Sequence, residues 1–290
     1  MKSAIKPSSM AGKIALVTGA TSGIGKATAA ALAEQGAEVI IAGRNQQKAE
    51  ETVQWIKTET GNQGVSYLLA DFSDLEQVRE LATTFKDRFS RLDLLVNNAG
   101  TYFNRRQETE YGVEMMFLVN HLAPFLLTNL LLELLLNSAP ARIVILSSDA
   151  HKYATIDFDD LGFKRGFSGM KAYGRSKLAN LLFSYELARR LADSGVTVNA
   201  VHPGHVATGI FQTNIPLIDP ALKWIMGLFA LSPEEGADNS IYLASSPDLE
   251  GISGKYFVKR EAVQTSAMTY DRAVSQRLWD LSESLTALDQ

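Results

Sequence analysis

The chain has 290 residues, 46% of them hydrophobic, with 28 basic against 32 acidic residues and a formal net charge of −4. That composition can bury a large core, and it offers no basic excess to hold nucleic acid. The absence of cysteine excludes disulfides, a thiol nucleophile and thiolate metal sites, and four scattered histidines without ligand spacing argue against a metal.

Residues 1–10 contain two lysines but no apolar signal-peptide core. They read as a flexible lead-in to a single domain over 11–290, with the cytoplasm as the default location. Lys13 to Thr18 is then a short apolar, β-branched run that stops at Gly19-Ala20-Thr21-Ser22-Gly23-Ile24-Gly25. Small residues follow, with Ala29, Leu32 and Ala33 as a packing stripe. Strand, glycine turn and helix in that order suit a pyrophosphate, because the backbone can approach closely and the helix N-terminus supplies free N–H groups. A plain βα turn would share these features.

A second strand over 38–42 ends at Gly43-Arg44-Asn45. A site for NAD would place an acid there, on the ribose hydroxyls; a guanidinium suits a 2′-phosphate, so NADP(H) is expected. The alternative is a solvated loop arginine. Strands over 65–70 and 92–96 lead to Asp71-Phe72 and Asn98-Ala99-Gly100. The apolar stretch Met115 to Leu136 is interrupted by Asn120, His121, Pro124, Asn129 and Glu133. It reads as a core helix that could face a second subunit, and not as a membrane span.

A strand over 142–147 ends at Ser147-Ser148, and Tyr173 and Lys177 then lie four residues apart in a long helix. Positions i and i+4 share a helix face, so the ammonium is expected to lower the phenol pKa. Strands over 196–201 and 254–259 complete the pattern of an α/β, doubly wound parallel sheet, a Rossmann-type single domain whose ligands sit beyond the carboxyl ends of the strands.

Jointly, Thr18 with Gly-x-x-x-Gly-x-Gly, Asn97-Asn98-Ala99-Gly100, Asn120, Ser147-Ser148, Tyr173 with Lys177, and Pro203-Gly204 resemble the short-chain dehydrogenase/reductase family over roughly residues 11–260. The resemblance implies hydride transfer between NADP(H) and a carbonyl or alcohol. It makes Tyr173 the proton donor and Lys177 the holder of the nicotinamide ribose. Ser148 would bond the substrate oxygen, with Ser147 as rival. Asn120 would hold a water beside Lys177, or else be merely satisfied in a helix kinked above Pro124. Cofactor contacts carry over to Gly19, Thr21, Ser22, Gly23, Ile24 and Gly25, to Arg44, Asn45, Asp71 and Phe72, and to Asn98, Ala99 and Gly100. They continue at Tyr173, Lys177, Pro203, Gly204, Val206 and Thr208. Asp71 would contact adenine; the alternative is a helix N-cap, a role that suits Ser73 or Asp74 better. The resemblance also implies a homodimer or homotetramer.

The interval from Ser148 to Tyr173 is longer than is usual in the family. With Ser148-Asp149-Ala150-His151 and Ser176-Lys177-Leu178-Ala179-Asn180, it looks like the retinol dehydrogenase-like branch. His151 would then touch substrate or be a loop histidine. Residues 209–231, with Phe211, Ile215, Trp224, Ile225, Met226 and Phe229, correspond to the family's substrate lid. An apolar lid suits a small to medium lipophilic aldehyde, ketone or alcohol; ordinary packing or a subunit contact would use the same residues. Two further readings are reduction of a conjugated double bond and a nucleotide sensor that binds NADP(H) without turnover.

Overall fold

The computed structural model describes residues 9–204 and 231–288. Strands covered on both faces need continuous apolar runs, and these runs supply β1 (Ile14–Thr18), β2 (Glu38–Gly43), β3 (Val65–Leu69), β4 (Leu94–Asn97), β5 (Ala141–Leu146), β6 (Val196–His202) and β7 (Lys255–Val258). They pair in parallel in the order β3-β2-β1-β4-β5-β6-β7. A short edge strand that the sequence reading did not anticipate, β8 (Glu261–Val263), runs antiparallel to β7. The chain winds outward from β1 to β3 and then crosses back to place β4 on the other side of β1. The loops after β1 and β4 therefore diverge, opening a crevice at the carboxyl edge.

The period of two along each strand sorts the core into two layers. Leu16, Ile40, Ile143 and Ile145 face α3 (Leu75–Arg88), α5 (Ala123–Leu130) and α7 (Gly169–Arg190). Val17, Val39, Ile41 and Val144 face α1 (Gly23–Glu34), α2 (Gln46–Thr60) and α8 (Pro233–Ser245). The expected stripe of Ala29, Leu32 and Ala33 is the buried face of α1. Ser9 and Met10, expected in the lead-in, already belong to the fold: Met10 is buried and its N–H bonds Gln35 O at 3.0 Å.

The stretch from Met115 is not one regular helix. It runs as a short α4 (Met115–Phe117), a π-helical turn over Leu118–Leu122, α5, and α6 (Leu132–Asn137). Pro124 is the physical reason for the π turn, since it has no N–H to return to the Asn120 carbonyl and its ring crowds the preceding turn. The ladder shifts so that Ala123 N–H bonds Leu118 O, five residues back. Ala123 to Thr128 are all buried. The last helix, α9 (Arg272–Thr286), covers part of this stretch, whereas Leu136 at its far end stays exposed. Its Trp279 packs edge-on to Phe125 at 5.0 Å and against Phe183 at 5.8 Å, and Ser282 Oγ lies 3.0 Å from His121 Nε2. Among the described residues no helix is long and apolar enough to cross a membrane.

Glu114 is wholly buried at the start of α4, where it accepts from Met116 N–H at 2.8 Å. Burial pushes its carboxyl up to about 7, against the backbone bonds of Met116 and Phe117 and the charges of Arg106 and Arg175. Between the ordinary value of 4.5 and about 7 the unfolded chain has released a proton that the folded chain keeps. Stability therefore falls through that window as pH rises, and the full cost persists above it. Glu114→Gln should abolish this slope. Its melting temperature relative to wild type is expected to rise between about pH 5 and about pH 8; a difference that stays constant with pH would refute this origin.

Candidate active site

The crevice edge is stitched by one hydroxyl and one amide. Thr18 Oγ1 accepts from the N–H groups of Asn98 and Ala99, both at 3.0 Å, and Asn98 Nδ2 donates to Thr18 O at 2.7 Å and Gly19 O at 3.1 Å. Two loops from neighbouring strands are thereby held in close backbone contact. Gly19, at φ +63°, could carry no Cβ, which would lie 2.7 Å from Ala99 Cα. A Cβ on Gly25 would fall on Asn98 and 2.5 Å from Gly19 O. Ser22 stands at the α1 N-cap without a side-chain cap bond, and the first turn carries no acid. Thr21, Ser22, Gly23 and Ile24 therefore leave the amide end of α1 open to an anion, a cradle that fits a pyrophosphate. Gly25→Val is expected to lower NADPH affinity by more than about tenfold, because its branched side chain must displace the Asn98 amide. Titration of nucleotide fluorescence measures this, and unchanged affinity would remove the cradle from the binding account.

At the end of β2, a Cβ on Gly43 would meet the Thr21 methyl at 2.8 Å. Arg44 beyond it is three-quarters exposed, with Nη1 3.6 Å from Asp71 Oδ2. Asp71 also accepts from Ser73 N–H at 3.0 Å and Ser73 Oγ at 2.8 Å. Its burial opposes ionisation, but the Ser73 bonds and Arg44 outweigh that and hold the carboxyl below its ordinary value. The α3 cap is Asp74, which accepts from Glu76 and Gln77 N–H; Asp71 is thus not the cap. Asn45 Oδ1 accepts from Lys48 N–H at 2.9 Å as the N-cap of α2. Phe72 is buried in the core, which leaves only its backbone for a ligand.

Deeper in the crevice, the π turn presents Asn120. Its Oδ1 accepts from Thr101 N–H at 2.7 Å, and its Nδ2 donates to Thr101 O at 3.0 Å and Ser176 Oγ at 2.9 Å. Gly100 lies at the meeting point, because a Cβ there would be 3.4 Å from Asn120 Oδ1 and 3.6 Å from Lys177 Nζ. Lys177 Nζ donates to Leu146 O at 3.1 Å and sits 5.5 Å from the centroid of the Tyr173 ring. Tyr173 is hydrogen-bonded to Ser148. The other serine points away: Ser147 is buried and donates to Lys177 O at 2.8 Å. His151 is buried, with Nδ1 2.7 Å from Ser148 O and its ring edge-on to Tyr256 at 5.3 Å.

The expected lowering of the Tyr173 pKa does not occur. Burial raises the phenol to about 12, opposed only by the Ser148 hydrogen bond. Burial also lowers Lys177 to about 8, and its Nζ lies over the ring face. Pro203 and Gly204 close the edge after β6, where a Cβ on Gly204, at φ +86°, would strike Leu231 Cδ1 at 2.6 Å. Val206, Thr208 and all of the lid segment except Leu231 lie outside the described residues.

Several residues were not singled out from sequence: the Thr18 hydroxyl as a stitch, Thr101 and Ser176 as the partners of Asn120, and a cluster of rings on Tyr173. Tyr102 packs edge-on to Tyr173 at 5.8 Å, and Phe103, Met116, Phe163 and Phe167 join the same apolar cluster. The one sequence signal for the Asn120 arrangement was Pro124.

The family model for short chain dehydrogenases matches residues 13–216. The chain belongs to that family. This short-chain dehydrogenase is 45% identical to Retinol dehydrogenase 14 of Homo sapiens, over 97% of this chain and 88% of that one. It is 40% identical to Polyprenol dehydrogenase of Homo sapiens, over 95% and 86% of the two chains. A short chain dehydrogenase of Escherichia coli CFT073 complexed with NADPH shares its fold, with a TM-score of 0.69, 27% identity, and 87% and 98% of the two chains covered. The chain is an oxidoreductase acting on alcohol or carbonyl groups, with a nicotinamide cofactor.

Proposed function

We propose that this short-chain dehydrogenase transfers a hydride between NADP(H) and the alcohol or carbonyl carbon of a small to medium lipophilic substrate. The observation that carries this reading is the convergence of Ser148, Tyr173, Lys177 and Asn120 beside Gly100, at the carboxyl edge of the sheet. When bound, NADP(H) supplies or accepts the hydride. The residues of the chain handle the proton and the oxygen. Tyr173, raised by burial, keeps its proton at neutral pH and can donate it to a carbonyl oxygen as negative charge develops there. The Ser148 hydroxyl, on the same phenol, is placed to hold that oxygen. Lys177 stands behind the ring as the nearest proton reservoir. The Asn120 carbonyl, which loses its i+4 donor at Pro124, would fix a relaying water beside it.

The preference for NADP(H) rests on Arg44 and on Gly43 standing where an acid would favour NAD. Lipophilic substrates are supported by the cluster of rings on Tyr173 and by relatives named for retinol and polyprenol. The apolar lid residues, Phe211 to Phe229, would serve the same end. The test is consumption of NADPH and of NADH with a panel of aldehydes and ketones of rising chain length. Turnover that favours NADPH and longer apolar carbonyls is expected; equal use of both nucleotides, or no carbonyl reduction, would overturn the reading.

A further inference from the structure

Arg175 lies on α7 between Tyr173 and Lys177, yet it is only 7% exposed and takes no part in their contacts. A buried guanidinium is costly unless its donors are used. Here they serve the inserted segment between Ser148 and Tyr173: Nε donates to Thr155 O at 3.3 Å and Nη1 to Asp160 O at 2.6 Å. The planar group also stacks on Phe163, with Cζ 3.7 Å from the ring centroid. A second arginine grips the segment from the other side, since Arg106 Nε donates to Gly162 O at 2.6 Å, and Glu114 N–H bonds Leu161 O at 3.0 Å.

Phe163 is held at φ +48°, in the left-handed region that a bulky side chain avoids. Such strain persists only where the surroundings over-determine it, and the surroundings here are the two guanidiniums. The result is an aromatic wall. Phe163 packs edge-on to Phe167 at 6.0 Å, and both join Tyr102, Phe103 and Met116 around Tyr173. Phe163 is buried, whereas Tyr102, Phe103 and Phe167 are partly exposed. Any substrate oxygen must come within hydrogen-bond reach of Tyr173, so the groups beside that oxygen meet these rings.

We propose that Arg175 is a positioning residue: by fixing Phe163 and its segment it sets an aromatic wall beside Tyr173 that selects extended apolar substrates over small ones. The proposal rests on the carbonyl-reductase reading above. A small substrate reaches Tyr173 without covering the rings, while a longer chain gains from burial against them.

The experiment compares wild type, Arg175→Leu, Arg175→Lys and Phe163→Ala with NADPH on decanal and propanal. Arg175→Leu should raise the KM for decanal roughly tenfold more than that for propanal, with kcat on propanal and NADPH affinity little changed. Arg175→Lys keeps the charge but loses the planar fork and should restore only part of the discrimination. Phe163→Ala, with Arg175 intact, should reproduce the selective loss and carries the test if Arg175→Leu does not fold. Trypsin reads the clamp without turnover, because Lys164 and Arg165 are exposed in the pinned segment; cleavage there should be faster in Arg175→Leu. Unchanged cleavage, or equal loss on both aldehydes, would overturn the proposal. Wild-type protein that bound NADPH but reduced neither aldehyde would instead defeat the functional reading, with the cleavage comparison still judging the clamp.

Discussion

Tyr173→Phe is expected to cut turnover by roughly 10²–10⁴-fold, the range for a positioned proton donor, while leaving NADPH affinity nearly unchanged. The benzene ring remains, so the edge-on contact with Tyr102 and the packing on Met116 survive. The fold loses only the phenol's bond to Ser148, worth about 1 kcal/mol. Lys177→Ala should behave differently. It removes the side chain that lies against Gly100 and reaches Leu146 O, so both cofactor affinity and turnover should drop. Asn180 Nδ2 still donates to Leu146 O at 3.0 Å, which keeps that carbonyl satisfied and the variant foldable. Nucleotide titration and single-turnover kinetics separate the two effects. A Tyr173→Phe enzyme with near wild-type chemistry would remove the phenol from the mechanism.

Arg44→Asp should weaken NADPH roughly 10- to 100-fold, the loss of a charge-assisted phosphate contact, and leave NADH within about threefold. The pair that Arg44 makes with Asp71 is open to solvent and contributes little stability, so its guanidinium can turn to a phosphate at small cost. Replacing it with a second carboxylate beside Asp71 adds repulsion to the lost attraction. Arg44→Ala should show the smaller loss of the two. Calorimetric titration of both nucleotides decides this; parallel losses for NADPH and NADH would mean that Arg44 supports the loop without reading the phosphate.

The seven parallel strands were legible because burial on both faces forces continuous β-branched runs, and the order of motifs placed Ser148, Tyr173 and Lys177 at one edge. β8 was not: its three residues, Glu261, Ala262 and Val263, are exposed and gain pairing only from the neighbouring β7. The π turn at Asn120 depends on one missing N–H at Pro124, a local defect within an apolar run that looks uniformly helical. Sequence spacing put the Lys177 charge near Tyr173 correctly but said nothing of desolvation, which raises the phenol and lowers the ammonium. The resemblance already favoured Ser148 over Ser147, and the packing of α7 gives the physical reason, since Ser147 Oγ is tied to Lys177 O. Phe163 and Arg175 were invisible as a pair because their meeting depends on an irregular segment and a left-handed backbone angle.

The last helix makes this domain self-capping. Trp279 and Leu278 occupy the aromatic hollow formed by Phe125 and Phe183, with the Arg190 guanidinium stacked over the indole at 3.9 Å. Because α9 is tethered, it meets that hollow at an effective concentration on the order of millimolar, with which a second copy at ordinary protein concentrations would have to compete. A second copy approaching Phe125 and Phe183 would first have to displace Trp279. Cleavage ahead of Arg272 would turn this intramolecular seal into a dissociable one.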